Sequence, residues 1–506
     1  MIKKTALPLL LLLAACAVGP DYQKPDDKGL LPNSWVSPGA KKLTEADAQK
    51  AAVDQAWWRN FNDPALNTLI AKAAEGNFDL KIAAARITQA RATRSSATSE
   101  LFPKINATGS AIRQANTFAI PGGGPGMTAP FNTFQAGFDA SWELDLFGGH
   151  RRAVEEAEAN VEAAEAQGQD TLVSLLAEVA RTYVDIRQYQ SQLSITSDLV
   201  KAERNTMDIT QERFDAGTTA HVDVTRAQAE LANAQAQIPL YQNLLAQAEY
   251  SCDVLLGAQP GTTHNLMSSG DIPVVNKQLV LNAPSKVIAD RPDIRVAERK
   301  LAAATAQQGV ATAQFFPDIS LSGFLGLLTT DSAKIFDIHS KSWKMGGSIL
   351  LPILNWGALQ ANLDAANAEQ QEALAVYQKT VLSALADVEK SYTAYTKQED
   401  YRASLEKAVK DNQSATTVAR ARYKDGLVPF LEVLDAQRSL YASQSKVSEA
   451  KGKAAQNLIA LYKSLGGGWQ GNAASVAAAS VSSEPVQLVP DTRAKPVMDG
   501  PKKRAK

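Results

Sequence analysis

The chain has 506 residues, a net charge of −1 and two cysteines, Cys16 and Cys252. That balance leaves no basic footprint for nucleic acid; with Cys16 taken up by the lipid expected below, Cys252 alone can build neither a disulfide framework nor a thiolate metal site within one chain. No stretch after residue 16 is apolar over the roughly 20 residues that a transmembrane helix needs, so any membrane span must be a β-barrel.

The N-terminus begins with Lys3 and Lys4, continues through the short apolar run Thr5 to Leu12, and reaches Leu13-Ala14-Ala15-Cys16. This predicts a signal peptide over residues 1–15. The tetrad resembles a bacterial lipobox, which implies cleavage before Cys16 and lipid on its sulfur and amine. The plainer alternative is an ordinary cleavage site with an incidental cysteine. Two or more acyl chains anchor stably. Ala17 after the cysteine favours the outer membrane under the sorting rule for bacterial lipoproteins.

Residues 16–62 are expected to form a lipidated N-terminal segment. A helix follows from about Pro64 to Leu101. Next comes a β-hairpin over 104–147. Its second strand alternates Phe134, Ala136, Phe138, Ala140, Trp142, Leu144 and Leu146 with Gln135, Gly137, Asp139, Ser141, Glu143 and Asp145. Strict period two gives one apolar and one polar face, over a length that crosses a bilayer when tilted. Lys104 to Phe118 is the weaker partner strand, and Pro121 to Gly126 reads as an exposed loop. A helical hairpin then fills 149–256, with a first arm of more than sixty residues (Ala153 to Ala216) and a shorter return (Ala220 to Leu256). At 1.5 Å per residue the first arm is about 100 Å long.

After a linker over 257–290 the plan repeats in 291–468. A helix starts at Asp293, a β-hairpin spans 318–355, and a helical hairpin spans 358–465. In the second hairpin Trp343, Met345, Gly347, Ile349, Leu351 and Ile353 share one face. Arg213-Phe214-Asp215-Ala216-Gly217 recurs 209 positions later as Arg422-Tyr423-Lys424-Asp425-Gly426, and Ala227-Gln228 recurs as Ala436-Gln437. The fold class is therefore mainly α with a membrane β-barrel part, built on a duplicated helix, strand, strand, long helix, helix unit. Four strands cannot enclose a water-filled barrel, but three chains sharing twelve could. A pre-strand helix stacked on a returning helix would match one long helix, with a waist where the two meet. Residues 469–506 are rich in Ala, Ser, Pro and Lys and read as a disordered tail.

Nine short motifs carry a family resemblance: Leu13-Ala14-Ala15-Cys16, Val18-Gly19-Pro20-Asp21-Tyr22, Trp57-Trp58, Phe102-Pro103, Asp145-Leu146-Phe147-Gly148, Arg291-Pro292-Asp293, Phe316-Pro317, Arg422-Tyr423-X-X-Gly426 and Leu434-Asp435-Ala436-Gln437. In order and spacing the chain resembles the TolC-like outer-membrane efflux proteins, in the lipoprotein branch that serves resistance-nodulation-division pumps. The resemblance implies a homotrimer, a twelve-stranded barrel on a helical tunnel through the periplasm, a periplasmic adaptor (membrane fusion protein) and an inner-membrane pump. It implies a passive exit duct whose periplasmic end stays closed until the partners engage.

The glycine turns are the expected tunnel tips. Glu432 and Asp435 stand one helical turn apart on one face, and Asp223 holds the matching position in the first repeat. In a trimer such acids would form rings that favour cations. The resemblance implies that Asp435 lines the gate with Leu431 and Arg438 beside it. Val428 stands where some relatives carry a gate arginine. The alternative for the acids is simple stabilisation at a helix N-terminus, worth about 0.3–1 kcal/mol. Arg213, Gly217, Arg422, Tyr423 and Gly426 are the expected adaptor contact, against the alternative of plain turn chemistry.

The four histidines, His150, His221, His264 and His339, are scattered without metal-ligand spacing. With no nucleophile, phosphate-loop or dinucleotide motif, no enzyme activity and no cofactor are expected beyond the lipid on Cys16. An outlet for type I protein secretion would use the same fold, and a non-channel helical scaffold is the reading from another class. No selective pocket is visible in the sequence, so drugs, solvents, dyes and metal ions all stay open as cargo.

Overall fold

The computed structural model describes residues 17–26, 29–32, 34–37, 55–118, 127–275 and 284–469. Residues 1–16, the loop 121–126, part of the linker and residues 470–506 lie outside them. The elements run α1 (Pro64–Gly76), α2 (Phe78–Ser99), β1 (Lys104–Phe118), β2 (Met127–Glu143), α3 (Gly149–Asp215), α4 (His221–Leu256), α5 (Thr262–Leu266), α6 (Pro284–Asp290), α7 (Pro292–Ala313), β3 (Asp318–Thr329), β4 (Lys341–Leu350), α8 (Ala358–Lys424) and α9 (Phe430–Ser464).

The strands form one antiparallel sheet in the order β1-β2-β3-β4. Register puts Phe138 opposite Leu325 and Trp142 opposite Leu321, while Leu325 faces Trp343 and Gly323 faces Met345. Directly opposed residues share a face, so these side chains make one apolar surface. Trp343 is 74% and Met345 81% exposed. The other face carries Asp139, Ser141 and Glu143 against Phe324, Ser322 and Ser320, then Lys344, Gly346 and Ser348. Its side chains bond to one another: Thr108 donates to Asp139, and Ser320 and Ser348 hydroxyls are 2.7 Å apart. Phe324, Leu328 and Ile112 are large apolar side chains on this face, and Phe324 is the one with an aromatic ring on β3. Its ring lies over Gly137 and Gly326, where an added Cβ would come within 2.8 and 2.7 Å of it.

The second strand pair is shorter than its sequence pattern suggests. Leu351 and Ile353 continue the alternation, yet β4 ends at Leu350. Pro352 has no N–H to give to a ladder. Trp356 then turns the chain with φ +52°, and α8 starts behind Gly357. The link between β3 and β4 holds two short 3-10 turns, capped by the Asp331 and Asp337 carboxylates.

Helices α3 and α8 each have 67 residues, so each is about 100 Å long. The helix expected from Pro64 to Leu101 is instead two helices. Asn77 breaks it, and its side-chain oxygen accepts from the Asp79 and Leu80 N–H groups while its Nδ2 donates to Leu255 O at 2.9 Å. The cap satisfies donors that a fresh helix start leaves open. The break seats the start of α2 on the end of α4, where Gly76 and Gly257 lie backbone to backbone. In the second repeat Arg291 donates to Ser464 O at 2.9 Å, which sets the start of α7 on the end of α9. Both waists therefore join a returning helix to a pre-strand helix.

The largest apolar core lies at this level. Trp57, Trp58, Phe61, Leu172, Leu176, Tyr183, Leu458 and Tyr462 pack together, with Trp57 stacked on Tyr462 at 5.3 Å. The ordered body reaches at least Trp469, whose Nε1 donates to Asp290 O at 3.0 Å. At Gly76 an added Cβ would lie 2.3 Å from Leu256 O. Gly76→Ala is therefore expected to cost about 1–3 kcal/mol as an overpacking change, read as a lower midpoint in thermal unfolding of the purified assembly.

Candidate functional site

The far ends of the two helical hairpins are twin turns. Gly217 N–H donates to Phe214 O and Thr218 N–H to Arg213 O; 209 positions on, Gly426 N–H donates to Tyr423 O and Leu427 N–H to Arg422 O. Gly217 and Gly426 have φ of +69° and +76°, which closes the helix end in the left-handed region.

The two turns lie against each other. The Arg213 guanidinium carbon sits 4.6 Å from the Tyr423 ring centroid, and Arg213 Nη1 donates to Tyr423 O. Tyr423 is only 4% exposed. It packs with Ala227, Ala419, Phe430, Val433 and Leu434 from three helices, and Met207 and Ile209 close the cluster from α3. Arg213 and Tyr423, expected to face a partner, thus hold the hairpins together. Arg422, Gly217 and Gly426 are exposed. So are Leu427 (72%) and Leu431 (50%). Leu427 escaped the motif because nothing in its neighbours marks it; only the turn geometry turns it outward.

The acids follow immediately. Glu432 and Asp435 lie exposed in the first turns of α9. Asp223 accepts from Thr219 Oγ1 at 2.8 Å and pairs loosely with Arg226 at 3.8 Å, so its carboxylate is held by side chains of its own turn at the start of α4. Arg438 reaches across from α9 to Glu230 on α4.

Behind this pair lies a residue that no motif announced. Glu203 on α3 is 3% exposed, and its Oε2 has no hydrogen-bond partner. Burial pushes its carboxyl up to about 7; Glu230 adds to the rise, while Arg420 and Arg438 oppose it. A mid-helix glutamate is ordinary in sequence, and only the packing of α9 on α3 buries this one.

At the other end of the helices the N-terminal strap is fixed. Val18 N–H donates to Phe147 O at 3.0 Å. Arg152, buried, donates to Val18 O, Gly19 O and Asp21 Oδ1 at 3.2, 3.3 and 2.7 Å. Ala17 lies so close to Gly148 that a Cβ there would meet its Cα at 2.7 Å. Residue 17 therefore sits where β2 gives way to α3. Cys16 itself is outside the described residues. Among those residues no group of side chains could hold a metal ion, and no helix is long and apolar enough to cross a membrane.

Comparison with known proteins agrees with this geometry. A family model described as "Outer membrane efflux protein" matches residues 69–258 and 283–467. The probable efflux pump outer membrane protein TtgC of Pseudomonas putida is 32% identical over 462 residues, covering 90% of this chain and 94% of that protein. Nodulation protein T of Rhizobium leguminosarum bv. viciae is 32% identical over 467 residues, covering 92% and 93%. Among solved structures, the outer-membrane channel OprN superposes with a TM-score of 0.80 at 35% identity, covering 90% of this chain and 100% of that one. The open-state MtrE channel of Neisseria gonorrhoeae gives 0.76 at 28%, covering 90% and 99%. The amphipathic sheet, the duplicated 67-residue helices and these matches together establish that the chain belongs to the outer membrane efflux protein family, as an outer-membrane channel protein.

Proposed function

We propose that three copies of this chain close into one twelve-stranded barrel over a helical tunnel, and that the assembly is the passive exit duct of a tripartite efflux pump. The observation that carries this is the sheet. It has an apolar face, a polar face and two edge strands, β1 and β4, that pair with nothing else among the described residues. Unpaired strand edges are not tolerated in hydrocarbon. Copies of the same chain supply the missing edges, and three bring the strand number to one that leaves a bore. The efflux names of relatives such as TtgC favour small-molecule export over protein secretion.

The polar face lines the bore and the long helices carry it through the periplasm. The tips receive a periplasmic adaptor, which links the duct to an inner-membrane resistance-nodulation-division pump. Exposed Arg422, Leu427 and the two glycine turns offer the docking surface, with Arg213 and Tyr423 setting its shape. Asp435, Glu432 and Leu431 face the closed periplasmic end, and Arg438 and Asp223 support them. Lipid on Cys16 holds the strap at the level of the inner leaflet of the outer membrane, since residue 17 lies at the barrel-to-helix junction. No step needs bond chemistry from the protein.

Single-channel recording in planar bilayers tests the duct. Wild type is expected to give small, cation-selective openings, and Asp435→Ala larger ones; a protein that never conducts in either form is not a duct. Cys16→Ala should abolish incorporation of a labelled fatty acid and leave conductance intact, because the strands and not the lipid span the bilayer. Arg213→Ala removes a cation–π contact worth about 0.5–2 kcal/mol. Hydrogen exchange at the Gly426 and Leu427 amides should then accelerate roughly tenfold, while the equatorial core is unchanged.

A further inference from the structure

The two helical hairpins meet along α3 and α9, and between the tip and the equatorial core that seam is polar. Below the tip, Gln437 Nε2 donates to Thr206 Oγ1 at 3.0 Å. Farther along, Gln192 and Ser445 exchange two hydrogen bonds, at 3.1 and 2.9 Å. Ser448 Oγ donates to Ser191 Oγ at 2.9 Å, and Gln456 Nε2 to Asp185 Oδ1 at 2.6 Å. The cluster around Tyr423 closes the seam with apolar contacts at the tip, as the equatorial core does at the waist.

Glu203 sits just behind that apolar closure, three residues from Thr206. Its Oε2 is buried without a partner, and so is the Gln437 Oε1 across the seam. The charged groups that bear on it come from all the other helices of the two hairpins: Glu230 from α4, Arg420 from α8 and Arg438 from α9. Arg438 is already committed to Glu230. Arg420 has a buried Nη2 without a partner. A carboxylate here has no dedicated counter-ion, and it stands beside the carboxylate that holds Arg438. Since 3% exposure is reached within one chain, neighbouring protomers can only deepen the burial.

We propose that Glu203 is a positioning residue for the gate, a proton-held latch that is neutral while the hairpins are closed and ionised when they part. This rests on the reading of the chain as a gated duct. A neutral Glu203 leaves the Arg438–Glu230 pair undisturbed, and Asp435 lies one turn before Arg438 on α9. Loss of the proton puts a second carboxylate next to Glu230, which repels it and competes for Arg438. Because the seam is polar, water can enter as it opens and solvate the new charge.

The sign follows from where the proton is held more tightly. In the closed seam the carboxyl titrates at about 7, and once hydrated it returns toward the ordinary value near 4.3. The closed state therefore binds more protons between those limits. Closure is favoured as pH falls through that window, and opening is favoured as pH rises through 7.

The test is single-channel recording of the wild-type trimer and Glu203→Gln from pH 5.5 to 8, with thermal unfolding run on both to show that the variant is intact. Wild-type open probability is expected to rise on the order of tenfold over that range. Glu203→Gln, which keeps the shape and cannot ionise, should hold the low-pH value throughout. A wild type with no such rise, or a variant that keeps the full rise, overturns the latch while leaving the duct in place. A protein with no conductance at any pH, in wild type or Asp435→Ala, overturns the duct as well. Infrared difference spectra give a second readout: a protonated-carboxyl band lost between pH 6 and 8 in wild type and absent from the variant supports the latch, and its persistence in the variant overturns the assignment to Glu203.

Discussion

Everything in this molecule answers to one constraint: a peptide group in hydrocarbon must find its hydrogen bond within protein. The chain carries an open four-stranded sheet, and its apolar face has no use in water. An open sheet is an unfinished object in a bilayer. Its edges commit the chain to self-association, and the alternation of side chains decides which face meets lipid and which meets water. The long helices inherit this plan. They leave the sheet through paired turns at Gly148 and Gly357, both left-handed, so the two repeats descend in the same manner.

Duplication then solves a length problem. Two uninterrupted 67-residue helices would be poorly braced by short neighbours. The chain pairs each with two helices laid end to end, and the joints fall at one level, where Asn77 meets α4 and Arg291 meets α9. That level also holds the main aromatic core. Packing is densest where the segments change over, and the walls toward the tips are lean, rich in small and polar side chains. The main apolar core thus lies away from the tips.

Much of this was legible in the sequence. The strands announced themselves by period two, the long helices by uninterrupted length, and the turns by Gly217 and Gly426. What stayed hidden depended on contacts between distant segments. Asn77 looks like one more polar residue in a helix until the end of α4 is placed beneath it. Tyr423 sits in a motif that suggests a surface, yet its ring is enclosed by residues more than a hundred positions away in some cases. Glu203 carries no pattern at all. Of the candidate site, therefore, the sequence located the tips and the acids on α9, and only the fold revealed which side chains there are already committed to one another. At Pro352 a single missing N–H outranks the hydrophobic alternation around it, and β4 ends at Leu350.

Phe324 gives the wall a last property. It is the one large ring on the polar side of β3, and it lies over a bare patch of backbone formed by Gly137 and Gly326. A ring laid flat into the sheet covers exposed peptide without standing out from it. For a tube whose cross-section varies with the square of its radius, that distinction is large. Aromatic bulk that projected inward from each copy would throttle the passage at its narrowest dimension. Recessed into glycine, the same bulk becomes lining, and the sheet is both reinforced and left smooth for whatever travels past it.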